Sequence, residues 1–239
     1  MNKIYLNSKD FNFNEIFYGY ESNIYLFDSI HLMKIFKTDN IEVLENKLKK
    51  IELLSEINSN DVLPVDLVYI DDIFKGYTSI FRNNFKPINS LEQKKKIKYY
   101  ILNEVAKKMS FYHSLGIALG DIHEGNILFN KDTNEVILCD LDNTSISNIG
   151  FDILNNFQKD YLKYLNSSLD IDAFTFNLLT VSYIQNVLYS RSFSYLREFG
   201  LKGLLNTSEN RQIAKQMITF SSEFSGDLFI NHVKKRTLF

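Results

Sequence analysis

Tryptophan is absent from this 239-residue chain, cysteine occurs once, proline twice and glycine nine times. The lone Cys139 forbids an intrachain disulfide, which suits a reducing compartment. So little proline and glycine argues against a repeated-turn sandwich or barrel. Charge of one sign is lacking too. The formal balance is −2, without the one-signed field that marks a binder of nucleic acid or of an anionic membrane. The runs Lys94-Lys95-Lys96 and Lys234-Lys235-Arg236 read as a solvated helix face and a terminus. No apolar stretch approaches the roughly 18 residues of a membrane span. The four histidines are scattered without zinc-ligand spacing. The leading MNKIYLNSKDF offers neither the apolar core nor the cleavage site of a secretory leader. These absences set an expectation of a cytoplasmic protein, or one in a host cytosol if it is a secreted effector, with no nucleic-acid and no membrane partner.

What is present is apolar bulk. Hydrophobic residues make up 45% of the chain, with 20 Phe and 14 Tyr, enough for a packed core and against disorder. The first third reads as short strands. Ile24–Phe27, the turn Asp28-Ser29 and His31–Phe36 form a hairpin pattern. Asp39-Asn40-Ile41-Glu42 resembles a capping box, after which Ile41, Leu44, Leu48 and Ile51 share one helical face. Residues 63–70 and 74–81 pair as strands around Asp71-Asp72. Composition and period change at residues 83–89, the candidate hinge. This divides the chain into residues 1–82, a hinge, and residues 90–239.

Beyond the hinge the pattern is helical. Ser90-Leu91-Glu92-Gln93 reads as a second capping box. The stripe Ile97, Ile101, Val105, Met109 and Tyr112 stops at Gly116. Further helical patterns fall at residues 153–165, 171–189, 209–220 and 227–235. The expected class is α+β, with a small antiparallel sheet and one helix followed by a mostly helical part.

The stretch richest in chemistry is Gly120-Asp121-Ile122-His123-Glu124-Gly125-Asn126-Ile127-Leu128. A turn at residues 130–134 and the strand Val136–Cys139 follow, closing on Asp140-Leu141-Asp142. Such a hairpin draws Asp121, Asn126 and Asp140 toward one point. Mg²⁺ favours a few hard oxygen ligands and leaves its other positions to water and phosphate. Asp140 and Asn126 can supply those oxygens, while Asp121 can accept a hydroxyl proton.

The pattern Asp-x-x-x-x-Asn, a short hairpin and an apolar strand ending on Asp resembles the protein-kinase-like superfamily, which includes protein kinases and aminoglycoside phosphotransferases. The wording Gly-Asp-Ile-His-Glu-Gly-Asn is closest to the small-molecule phosphotransferases. The resemblance implies a bilobal fold with a reduced, mostly helical second lobe. Asp121, His123 and Lys34 would be its catalytic residues, His123 offsetting phosphate charge only when protonated. Asn126, Asp140 and Asp142 would be its metal residues. Lys34, in Met33-Lys34-Ile35-Phe36, would contact the α- and β-phosphates, held by Glu45, with Glu42 and Glu52 as alternatives. Gly19, Ser22 and Asn23 would form the phosphate turn, although only one glycine of the family's loop remains. Phe81 would stand at the strand end that reads adenine, and Asp170 would hold the catalytic loop.

The departures are Leu119 and Gly120 in place of the usual His and Arg, and Asp142 in place of Gly. The segment Ser145–Leu165 is also short for peptide binding. The function implied is transfer of the γ-phosphoryl group of ATP, with Mg²⁺, to a hydroxyl on a protein or a small molecule. A Ser/Thr protein-kinase-like enzyme is expected first, a small-molecule kinase or a nucleotide-binding pseudokinase as alternatives. Glu124 receives no role.

Overall fold

The structure, a computed structural model, describes residues 1–151 and 167–184. The chain is α+β and divides into two compact units. The first comprises Met1–Phe85 together with Cys139–Asp142, the second Lys86–Leu138 and the chain from Asn143 onward. The division falls within the segment that the sequence marks as a hinge. The inclusion of Cys139–Asp142 in the first unit differs from the linear division read from the sequence.

The first unit is a mixed six-stranded sheet backed by one helix. Its strands are β1 (Lys3–Leu6), β2 (Asn14–Tyr18), β3 (Ser22–Leu26), β4 (His31–Phe36), β5 (Pro64–Ile70) and β6 (Ile73–Ile80). They lie in the order β1-β5-β6-β4-β3-β2. Only β1 pairs in parallel, alongside β5. The β3–β4 hairpin forms as its sequence suggests, with Asp28 accepting from the backbone N–H groups of Ile30 and His31 at 2.8 Å each. The β5–β6 turn is Asp71-Asp72 with φ of 50° and 64°, the left-handed pair that a tight hairpin requires and that Asp tolerates.

Helix α1 (Ile41–Ser55) begins at Asn40, whose side chain accepts from Val43 N–H. It lays Leu44 and Ile51 against Phe36, Leu67, Phe74 and Tyr77 to make the unit's core. Ile41 stays exposed, so the buried stripe starts one turn later than its spacing suggests.

The second unit holds a three-stranded antiparallel sheet of β7 (Lys86–Pro87), β8 (Ile127–Asn130) and β9 (Glu135–Leu138). Helix α2 (Lys95–Ser114) buries Ile101, Val105, Met109 and Tyr112 as its stripe requires, and Gly116 ends it at φ 74°. The second capping box does not form. Ser90 closes a 3-10 turn by donating to the Pro87 carbonyl, and α2 starts at Lys95 with no side-chain cap.

Helix α3 (Ser168–Ile184) is buried on every side from Ile171 to Ile184, as a helix without a polar face must be. Its Thr175 and Ser182 hydroxyls donate back to carbonyls of the preceding turn. Among the described residues no helix is long and apolar enough to cross a membrane. The helical patterns at 153–165, 209–220 and 227–235, and the end of that at 171–189, lie outside the described residues.

Candidate functional site

In the first unit two of the expected residues, Asp140 and Asp142, gather around Lys34. Strand alternation sets its side chain on one sheet face, and the register places it opposite Tyr77 on β6. The Lys34 ammonium pairs with Asp140 and lies 2.5 Å from Asp142 Oδ1. Asp142 is 4% exposed. Its Oδ1 also accepts from Tyr77 Oη at 3.1 Å, while Oδ2 accepts from Lys47 Nζ at 3.3 Å. Burial raises the pKa of Asp142, but Lys34 and then Lys47 outweigh it and hold the carboxyl well below its ordinary value. Burial would strip the proton from Lys34. The attraction of Asp142 leads the opposing effects, and Lys34 stays firmly charged.

The helix glutamates do not take part. Glu45 is exposed on α1, as are Glu42 and Glu52, and the side chains paired with Lys34 are Asp140 and Asp142. The carboxylate expected from the helix therefore comes from the segment after β9. The helix contributes a cation instead, Lys47, 3.9 Å from Glu21 in the turn before β3. Asp142 is bound through both oxygens to cations and a phenol, so it is an anchor for Lys34 and does not fit the metal role expected of it. Asp140 is different. Although its side chain is 45% exposed, desolvation outweighs the attraction of Lys34 and, with the repulsion of Asp142, pushes its pKa up to about 6. A hard cation beside it would relieve that cost. Among the described residues no group of three or more His, Cys, Asp or Glu side chains stands ready to hold a metal ion.

The turn before β3 is tight. Gly19 N–H donates to Ser22 O at 2.9 Å, its carbonyl accepts from Lys37 Nζ at 2.5 Å, and Lys37 N–H donates to Glu21 O. Asn23 donates to Glu15 and to Tyr25 Oη, each at 3.1 Å, along the β2–β3 ladder. Ser22 is buried. The backbone N–H of Phe81 donates to the Ile30 carbonyl at 2.7 Å, so that group is committed within the sheet.

In the second unit the loop after α2 carries the other candidates. Asn126 is held by Nδ2, which donates to the Asp121 carbonyl at 3.1 Å and to Asp121 Oδ2 at 3.3 Å. The amide's remaining ligand atom is Oδ1. Gly125 N–H donates to His123 Nδ1 at 3.0 Å, which assigns the ring proton to Nε2. Nε2 stands 3.6 Å from Asp121 Oδ2. The His123 ring thus lies beside the Asp121 carboxylate.

Asp172 fixes the base of this loop. It has no exposed surface. It accepts from the backbone N–H of Leu119 and of Gly120, the latter at 2.6 Å, and contacts His113 Nε2 at 3.0 Å. The sequence expectation had given this task to Asp170. Asp170 instead exchanges hydrogen bonds with Ser167 in a capping box at the start of α3.

No family model matches this chain, and no curated protein matches it. The candidate site stands on its own chemistry. Sequence reading did not find Lys47, Tyr77 or Asp172. For Asp172 a signal was available: Ser167-x-x-Asp170 is a capping pattern and assigns Asp170 elsewhere. For Tyr77 it was the pairing register opposite Lys34.

Proposed function

We propose that this chain is an ATP-dependent phosphotransferase of two-lobed, protein-kinase-like architecture that transfers a γ-phosphoryl group to a hydroxyl. The observation that carries the reading is the pairing of Lys34, in the middle of a strand, with Asp140 at the end of the β8–β9 hairpin. In the kinase-like motif these two would be the phosphate-binding lysine and the metal-binding aspartate. The buried Asp142, holding Lys34 from the side, supports it further.

In this mechanism Lys34 binds α- and β-phosphate oxygens, fixed by Asp142 and Tyr77. Asp140 is the carboxylate of the first unit that would hold Mg²⁺, which when bound neutralises phosphate charge. The acceptor oxygen forms a bond to the γ-phosphorus as the bond from that phosphorus to the β,γ-bridging oxygen breaks. The hydroxyl proton passes to Asp121, and ADP leaves. His123 lies beside the proposed base, its Nε2 3.6 Å from Asp121 Oδ2. Catalysis of this kind asks the protein mainly for placement and charge.

Thermal unfolding with and without Mg-ATP tests the reading. At about 100 times Kd a ligand stabilises by about 2.7 kcal/mol, roughly 5–10 °C for a domain of this size. Wild-type protein should show that rise, and Lys34→Met should lose it. No rise in the wild type would overturn the assignment.

A further inference from the structure

We propose that the second unit carries a binding site for a small polyhydroxylated molecule without negative charge, of about sugar size, and that this molecule is the hydroxyl acceptor. The acceptor role rests on the phosphotransferase reading; the binding site does not. The site is a cavity of about 580 Å³, within the range of small-molecule sites. Its walls come from residues 88–93, from Lys98 on the first turns of α2, from Glu124 in the Asp121 loop, and from Ser182 and Tyr183 on α3.

Three features give the chemistry. First, the cavity holds a buried pair of opposite charges, Lys98 at 6% and Glu124 at 8% exposure. The Lys98 ammonium donates to the Tyr183 carbonyl at 2.6 Å and lies 4.5 Å from the centroid of the Tyr183 ring. Burial lowers the Lys98 pKa and Glu124 opposes the shift. The wall also includes the exposed Glu92, so the charges lining the cavity sum to no attraction for an anion. Second, the walls bear the neutral polar groups of Asn89, Ser90 and Ser182, suited to hydroxyls. Third, two buried wall atoms, Gln93 Nε2 and Tyr183 Oη, have no hydrogen-bond partner among the described residues. Leaving such groups unpaired costs about 1–3 kcal/mol each. A ligand rich in hydroxyl oxygens satisfies them, whereas an apolar one does not.

The position gives the role. Glu124 belongs to the same short loop as Asp121, so a molecule seated in the cavity lies against the segment that carries the proposed base. The sequence alone gives Glu124 no function. Its burial beside Lys98 makes it a recognition group.

The test is calorimetric titration of the full chain, without nucleotide, using myo-inositol, D-glucose and D-glucosamine as probes. Wild-type protein should bind at least one of them. Ser90→Trp, at an exposed wall position, and Glu124→Gln should each weaken that binding at least tenfold. Failure of all three probes to bind the wild type, or equal binding to Ser90→Trp, overturns the site. The Mg-ATP thermal shift of the wild type separates this inference from the one beneath it. Probe binding without a nucleotide shift leaves the site and removes its acceptor role. A nucleotide shift without probe binding leaves the phosphotransferase and removes the site.

Discussion

Asp140 and Asp142 are two residues apart and titrate in opposite directions. In Asp142 burial is outweighed by Lys34 and Lys47, and the pKa is depressed. Its contribution is present above the unfolded value of about 3.9 and lost as pH falls through the folded one. In Asp140 burial and the neighbouring Asp142 raise the pKa to about 6. Ionising it therefore costs the folded state, and stability from this group falls as pH rises from about 4 to about 6. Solvent screening softens the cost, since the side chain is 45% exposed. Asp140→Asn should raise the melting temperature at pH 7.5 and flatten the stability profile between pH 4 and 6 while abolishing turnover. A lower melting temperature would mean that the attraction to Lys34 dominates. Asp172→Ala should be among the costliest single changes, because it orphans the N–H groups of Leu119 and Gly120 together with His113. Hydrogen bonds to a charged group are worth about 1.5–3 kcal/mol each, so urea unfolding should show a loss of about 3 kcal/mol or more. Cys139, its thiol pushed up to about 12 by burial and then by Asp140, should resist iodoacetamide at pH 8 and react quickly only in denaturant.

At the scale of elements, two glycines show how closely the chain is packed around the candidate residues. A Cβ on Gly76 in β6 would stand 1.9 Å from the Lys34 carbonyl oxygen. Gly76→Ala must therefore push β6 away from the strand that carries Lys34. It should cost at least about 2 kcal/mol in urea unfolding, on the scale of overpacking, and unchanged stability would contradict the close pairing. Gly120, at φ 78°, has the Asn143 carbonyl oxygen 2.7 Å from where a Cβ would sit, which explains why the loop runs through glycine just before Asp121. The elements most readable from sequence were those whose period is written locally, β3–β4, β5–β6, α1 and α2. Strand β1 escaped because it has four residues and pairs in parallel with β5 across the chain, a contact with no turn to announce it. Strand β2 escaped because it is exposed along its whole length, so no alternation marks a buried face. On α3, with every side buried, periodicity could not tell which of Asp170 and Asp172 faces the loop.

For the whole molecule, the division near residue 85 falls where composition and period change in the sequence. The electrostatic arrangement was not legible there. Which carboxylate holds Lys34 depends on where α1 turns its side chains. The helix presents Lys47 inward and leaves Glu45 in solvent, so Asp142 takes the place expected for a helix glutamate. The measurement that tests the account most directly is transfer from γ-labelled Mg-ATP, with the protein itself and a deproteinised small-molecule extract as acceptors. Wild-type protein should move label from ATP to a hydroxyl, and Asp121→Asn should slow that transfer about 10²–10⁴-fold, the usual worth of a general base. Label that stays on ATP with the wild type, or that moves equally fast with Asp121→Asn, would contradict the account.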